Sequence, residues 1–300
     1  MKKVCIVLLA ALLCICVLSG CADSSATGLQ IVCSAFPQYD FLREITKGTD
    51  VSLKLLLKPG QESHDYDPSS KDIAAVHACD MFVYVGGESE SWITKTLQSV
   101  DAENKTVLKL VDMVEAHAEH EGHDHAYDEH VWTSLNNASV IAKQLSDALV
   151  VLDPQNADTY RKNLSDFSNA LGALRAEFDT VVQQSKRQTI VVGDRFPLLY
   201  FCEDLGLSYH AAFAGCAAST EPSSADVAAL IDVVKRENIP VVFKMEMSAG
   251  GVAQTIAEST GANVRTFYSC HNLSKTDFEN GETYLSLMRK NLVVLKEALG

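Results

Sequence analysis

The stretch DPQNADTYRKNLSDFSNALGALRAEFDTVVQQSK, residues Asp153–Lys186, decides the architecture. Asp153-Pro154 is a helix opening, an N-cap candidate followed by a proline in the first turn, where its missing donor costs nothing. Tyr160, Leu164, Phe167, Leu171, Leu174 and Phe178 then recur at three- and four-residue spacing, which lines up one apolar face. The 34 residues, if helical throughout, span about 50 Å, with Gly172 the one place where the helix could weaken. A helix of that length is a stiff strut between whatever lies on its two sides.

The same plan lies on both sides. Before it, short apolar runs at Leu29–Ala35, Val51–Leu57, Met81–Val85 and Thr106–Leu110 read as strands. Helical patterns fall at Tyr39–Lys47, Ser70–Cys79, Ser91–Val100 and Asn136–Val151. After it, strand candidates are Thr189–Val192, Leu207–Phe213, Pro240–Met245 and Asn263–Tyr268. Helical patterns there are Pro197–Asp204, Ser224–Glu237, Gly251–Ser259 and Asp277–Leu299. Strands alternating with helices predict an α/β chain of two similar lobes, each a mostly parallel sheet flanked by helices. The expected division is 29–152 for the first lobe, 153–187 for the connector and 188–300 for the second lobe.

The N-terminus is an address. Met1-Lys2-Lys3, an apolar run from Val4 to Val17 and small residues thereafter make residues 1–20 a signal peptide, too short to span a membrane comfortably. Leu18-Ser19-Gly20-Cys21 resembles a bacterial lipobox, which implies a lipid on Cys21, a flexible tether over 21–28 and a place on the outer face of the cell membrane. Removing residues 1–20 takes two lysines and no acid, so net charge moves from −14 to −16. Such a chain is not a nucleic-acid binder, because phosphate needs clustered Lys and Arg. Cys33, Cys79, Cys202, Cys216 and Cys270 remain in the mature chain, at no zinc-ribbon spacing. They read as small core residues, with one disulfide open to an exported protein.

Histidine carries the chemistry. His117, His120, His123 and His125 crowd a segment without apolar periodicity, residues 116–126, that offers loose binding to borderline divalent ions. The sharper signal is position. His64 follows the second strand, His130 the fourth, Asp194 the first strand of the second half, and His271 the last. Ligands in open α/β sheets bind outside the carboxyl ends of strands. These four residues would therefore converge on a cleft between lobes. Three imidazoles and one carboxylate close a tetrahedral site with no position open for a reacting water.

The chain resembles the metal-binding solute-binding lipoproteins of ABC importers, the zinc and manganese type. Gly60-Gln61-Glu62-Ser63-His64-Asp65-Tyr66-Asp67-Pro68-Ser69 is similar to that family's first ligand loop. Asp128-Glu129-His130-Val131-Trp132 is similar to its Asp-Pro-His-Val-Trp motif, with Glu129 in place of the proline. A His-rich loop just before that motif is typical of zinc members. The resemblance implies Zn2+ as transported cargo, Mn2+ as the less favoured ion, a permease as partner and a monomeric, extracytoplasmic binding protein.

The second lobe departs from the family pattern. Gly193-Asp194-Arg195-Phe196 stands where many members have His-x-Ala-Phe, so Asp194 is the candidate ligand, with an N-cap or an ion pair to Arg195 as its structural alternative. His210-Ala211-Ala212-Phe213 repeats the letters one strand too late, which makes His210 an alternative ligand. Glu246, after the third strand of the lobe, reads as a carboxylate that either lines the cleft as an alternative ligand or supports a ligand histidine. His77 reads as a surface or structural residue. Other functions compete weakly. A zinc hydrolase would need His-Glu-x-x-His, and His120-Glu121-Gly122-His123 is one residue short; nucleophile-elbow and phosphate-loop motifs are missing too. A surface adhesin or structural lipoprotein with incidental metal binding would have the same fold.

Overall fold

Two four-stranded parallel sheets with one strand permutation make up the computed structural model, which describes residues 28–62, 66–100, 105–115, 127–213 and 222–300. His64, the His-rich loop, Cys21, Cys216 and residues 1–20 lie outside the described residues. The first sheet has the order β2-β1-β3-β4, from β1 (Gln30–Cys33), β2 (Ser52–Leu55), β3 (Met81–Tyr84) and β4 (Thr106–Lys109). The second repeats it as β6-β5-β7-β8, from β5 (Thr189–Val192), β6 (Ser208–Ala211), β7 (Val241–Met245) and β8 (Asn263–Phe267). Every pairing is parallel. The inner strands are close to continuous apolar runs, Ile190-Val191-Val192 and Val241-Val242-Phe243 among them, as burial on both faces requires.

The helices of the first lobe are α1 (Phe36–Ile45), α2 (Ser70–Ala78), α3 (Ser91–Leu97) and α4 (Leu135–Leu152). The connector is α5 (Ala157–Gln184). The second lobe holds α6 (Leu199–Leu205), α7 (Ser224–Glu237), α8 (Gly251–Thr260), α9 (Lys275–Glu279) and α10 (Tyr284–Leu299). Tyr160, Phe167, Leu171, Leu174 and Phe178 of α5 are buried as the periodicity predicts, and Gly172 interrupts nothing. Its 28 residues span about 42 Å. Asp153 does not cap it. A short 3-10 turn, Pro154–Asn156, comes first. The Asp153 carboxylate instead accepts bonds from Tyr160 Oη at 2.6 Å and Asn156 Nδ2 at 2.7 Å. The expected last helix is likewise split. Gly281 takes a left-handed φ of 75°, and Thr283 restarts the chain with a capping box to Ser286.

One apolar core runs through both lobes. Phe41 and Trp132 from the first, Phe178 of α5, and Phe243, Phe267 and Tyr284 from the second belong to the same buried cluster. Smaller clusters cover the outer sheet faces, Val32-Leu56-Phe82 in one lobe and Val191-Leu230-Val242 in the other. Lobes sharing a core cannot swing apart without exposing it, so the hinge movement of linker-joined lobes is closed to this fold. Polar bonds reinforce the join. Asp204 of α6 accepts from Ser134 Oγ at 2.8 Å, pairs with Arg175 of α5, and thereby ties the start of α4 to both. Cys33, Cys79, Cys202 and Cys270 are buried free thiols, in keeping with their reading as core residues. Among the described residues no helix is long and apolar enough to cross a membrane.

Asp40 of α1 is a buried carboxyl in this join. It accepts the Tyr284 N–H at 2.7 Å and pairs with Arg43. Burial pushes its pKa up to about 6, with Arg43 and the Tyr284 N–H opposing. Between the ordinary carboxylate range and about 6 the native state holds a proton that the unfolded chain has lost. Stability therefore falls as pH rises through that window. From pH 5 to 7.5 the loss is on the order of 1 kcal/mol. Urea unfolding at the two pH values should show a smaller drop for Asp40→Asn than for the parent chain. Equal drops would place the titration elsewhere.

Candidate metal centre

The segments leaving the carboxyl ends of the two sheets meet at a small pocket. Ser34 and Leu57 reach it from beyond β1 and β2, Glu90 from beyond β3, and His271 from beyond β8. His130 stands behind it on the segment that leads into the 3-10 turn Val131–Thr133. Its imidazole is 1% exposed and packs edge-on against Trp132 and against His271 of the other lobe. The ring centroids of the two histidines are 5.4 Å apart.

Each histidine is aimed by a neighbouring carboxylate. Asp128 Oδ1 takes the His130 backbone N–H at 2.7 Å and lies 2.9 Å from Nδ1. That contact puts the proton on Nδ1 and presents Nε2 as the ligand nitrogen. The Asp128 backbone is held in turn by Tyr200, whose hydroxyl donates to the Asp128 carbonyl at 3.0 Å. The second anchor is Glu246, just past β7. Its carboxylate accepts from Ser269 N at 2.9 Å, Ser269 Oγ at 2.8 Å and Cys270 N at 3.1 Å. Burial raises its pKa, and those three donors pull the other way. This nest holds the turn that delivers His271, with Cys270 in a left-handed conformation at φ 60°. Glu246 thus supports the histidine through its backbone turn. Cys270 itself is fully buried and its thiol pKa is well above the ordinary value, first from burial and then from Glu246 and Asp40, which makes it a poor metal ligand at neutral pH.

Removing the orienting carboxylate tests its role. Asp128→Asn should weaken metal binding about 10–100-fold, the usual cost of losing such a partner, as read by competitive chelator titration. An unchanged affinity would mean that packing alone aims the ring.

One ligand-type side chain was not foreseen. Among the described residues, the group able to hold an ion is Glu129, His130 and His271, whose ligand atoms all lie within 4.8 Å of one another. Glu129 had registered only as the residue standing where a proline was expected. Glu129 Oε2 accepts the Ser89 N–H at 3.2 Å, while Oε1 is buried with no hydrogen-bond partner. Glu90 lies close by. Burial pushes its pKa up to about 7, the Ser34 hydroxyl and the Gly86 N–H oppose that, and the charge of Glu129 adds to it.

Among the described residues, Asp194, His210 and His77 are not members of this group. Asp194 accepts the Arg195 N–H at 2.9 Å through Oδ1 and the Met245 N–H at 3.2 Å through Oδ2, so both oxygens serve the backbone between β5 and β7. His210 lies on the edge strand β6 opposite Val191, half-buried. His77 meets Ser99 on the surface at 3.1 Å, as expected. The His64 loop is tethered on its near side. Asn272 Nδ2, next to His271, donates to the carbonyls of Lys58 and Gln61, both at 2.8 Å, and Gly60 N–H donates to Leu273 O at 2.8 Å. On its far side Tyr66 lines the same pocket as His271.

Comparisons with known proteins place the chain among zinc-uptake proteins. Residues 31–298 match the family model described as ZnuA, zinc-uptake complex component A, periplasmic. The zinc-binding lipoprotein AdcA of Streptococcus pneumoniae (strain TIGR4) is 32% identical, over 99% of this chain and 61% of its own length. The chain thus spans about three fifths of that relative. The high-affinity zinc uptake system protein ZnuA of Bacillus subtilis is 30% identical, over 93% of this chain and 90% of its own. The Zn(II)-bound ZnuA-like domain of pneumococcal AdcA superposes with a TM-score of 0.77 at 28% identity, covering 91% of this chain and 99% of that domain.

Proposed function

We propose that this chain, which belongs to the ZnuA family of zinc-uptake complex components, captures Zn2+ outside the cytoplasm and delivers it to the permease of an ABC importer. The observation that carries the reading is the pair of buried imidazoles, His130 and His271, brought from separate lobes and each steadied by its own carboxylate. His64 joins them from the first lobe, supported by the bonds that tie Lys58 and Gln61 to Asn272. One carboxylate completes the set, and Asp194 is the residue that sequence position offers for it. Imidazole-rich donors favour zinc, whereas manganese favours more oxygen ligands and higher coordination. The names of the relatives point to the same ion.

The chain works as a binding protein and not as an enzyme, because four protein ligands leave no open position for a reacting water. It acts as a monomer held at the outer face of the membrane through lipid on Cys21, with lobes bounded at 29–152 and 188–300 about the connector 153–187. His117, His120, His123 and His125 gather ions loosely at the entrance. The shared core predicts that loading stiffens the cleft with little lobe movement.

Metal content and competitive titration of residues 22–300, with and without residues 116–126, test this reading. The expected result is one tight zinc equivalent that survives loop deletion and that manganese fails to displace. Loss of all tight binding with the loop would leave only a histidine tract and overturn the cleft site.

A further inference from the structure

We infer that Glu129 is itself a ligand of the ion, and that it fills the carboxylate position which sequence order offers to Asp194. This rests on the zinc-binding reading above and sharpens it. Glu129 is 6% exposed, and its Oε1 is a buried oxygen with no hydrogen-bond partner. A buried carboxylate oxygen without donors has lost its water and gained nothing in return. A cation between it and the two imidazoles would supply the missing interaction, and the ligand atoms already lie within 4.8 Å of one another. The other oxygen, Oε2, is held by the Ser89 N–H, so the group is aimed rather than loose. The turn before α3 is shaped around it. A Cβ on Gly87 would collide with the Glu129 carboxylate and its Cβ, so only glycine lets this side chain lie beneath the turn. Asp194 offers the contrast of a carboxylate whose two oxygens both accept backbone N–H groups.

The exchange changes which lobe holds the ion. With Glu129, the described ligands divide as Glu129 and His130 from the first lobe and His271 from the second. The composition stays at three imidazoles and one carboxylate, so the preference for zinc is unaltered.

The test is zinc competition together with the visible spectrum of the Co2+-loaded full chain, for Glu129→Gln and Asp194→Asn. Glutamine preserves the size of the side chain and an acceptor for Ser89, so the turn is kept while the charge is lost. Glu129→Gln should lose tenfold or more in zinc affinity and shift the cobalt bands. Asp194→Asn should stay within threefold of the parent with its spectrum intact. Glu129→Asp, which keeps the charge on a shorter arm, should recover part of the affinity. Parental affinity and spectrum in Glu129→Gln would overturn the assignment, as would a loss confined to Asp194→Asn. A parent chain that binds neither Zn2+ nor Co2+ tightly would instead overturn the zinc-binding reading.

Discussion

His130→Ala should lower zinc affinity by about two to three orders of magnitude. Zinc bound through four protein ligands gains about 10–16 kcal/mol, so one ligand carries about 3–4 kcal/mol, a factor of about 10²–10³. This imidazole has reasons to sit at the high end. It is 1% exposed, its ligand nitrogen is set by Asp128, and it faces His271 across the lobe boundary. Alanine also leaves the Asp128 carboxylate beside an empty space, without the imidazole N–H and with the backbone N–H of residue 130 still donating to it. Zinc added in excess stabilises the native state in proportion to the logarithm of concentration over Kd. The zinc-induced rise in Tm should therefore shrink along with the affinity. Chelator competition gives the affinity, and the Tm without metal shows whether the fold survives. A fall of less than tenfold in a folded variant would remove His130 from the coordination shell.

The architecture could be read in the sequence because periodicity reports burial, and burial here is strong. The buried face of the connector follows the three- and four-residue spacing of Tyr160, Phe167, Leu171, Leu174 and Phe178. The parallel sheets follow from short apolar runs with helices between them. Boundaries were read less well where local polar chemistry decides them. Asp153 resembles an N-cap but is taken up by Tyr160 and Asn156, and Gly281 with Thr283 breaks a helix that apolar spacing alone would continue. The site divides in the same manner. His130 and His271 are legible because each follows a strand end. Glu129 was hidden because its place depends on the turn at 128–131 and on the room left by Gly87, contacts remote in sequence. Asp194 follows a strand end as well, and the structure adds that each of its oxygens accepts a backbone N–H there.

Trp132→Ala should be the most damaging change to the fold, at about 3–5 kcal/mol, the range for removing a large buried aromatic. The indole is fully buried and sits edge-on against both site histidines, 5.4 Å from His130 and 5.0 Å from His271 between ring centroids. Its N–H donates to Ser269 O in the other lobe at 2.8 Å. Its own carbonyl accepts the Tyr284 hydroxyl at 2.6 Å, and the Tyr284 N–H runs back to Asp40 in the first lobe. The residue is thus a filler of the shared core and a latch across it. Two variants separate these parts. Trp132→Phe keeps most of the apolar volume but strands the Ser269 carbonyl, an expected cost of about 1–3 kcal/mol, whereas alanine adds the cavity. Urea denaturation without metal measures both. The latch also bears on the site, because Ser269 belongs to the turn that Glu246 holds and that delivers His271. Trp132→Phe should therefore lose zinc affinity as well as stability, while a truncation remote from the cleft, such as Val234→Ala in α7, loses stability alone. Equal zinc affinity in Trp132→Phe and the parent would show that the Glu246 nest fixes the His271 turn without help from the indole.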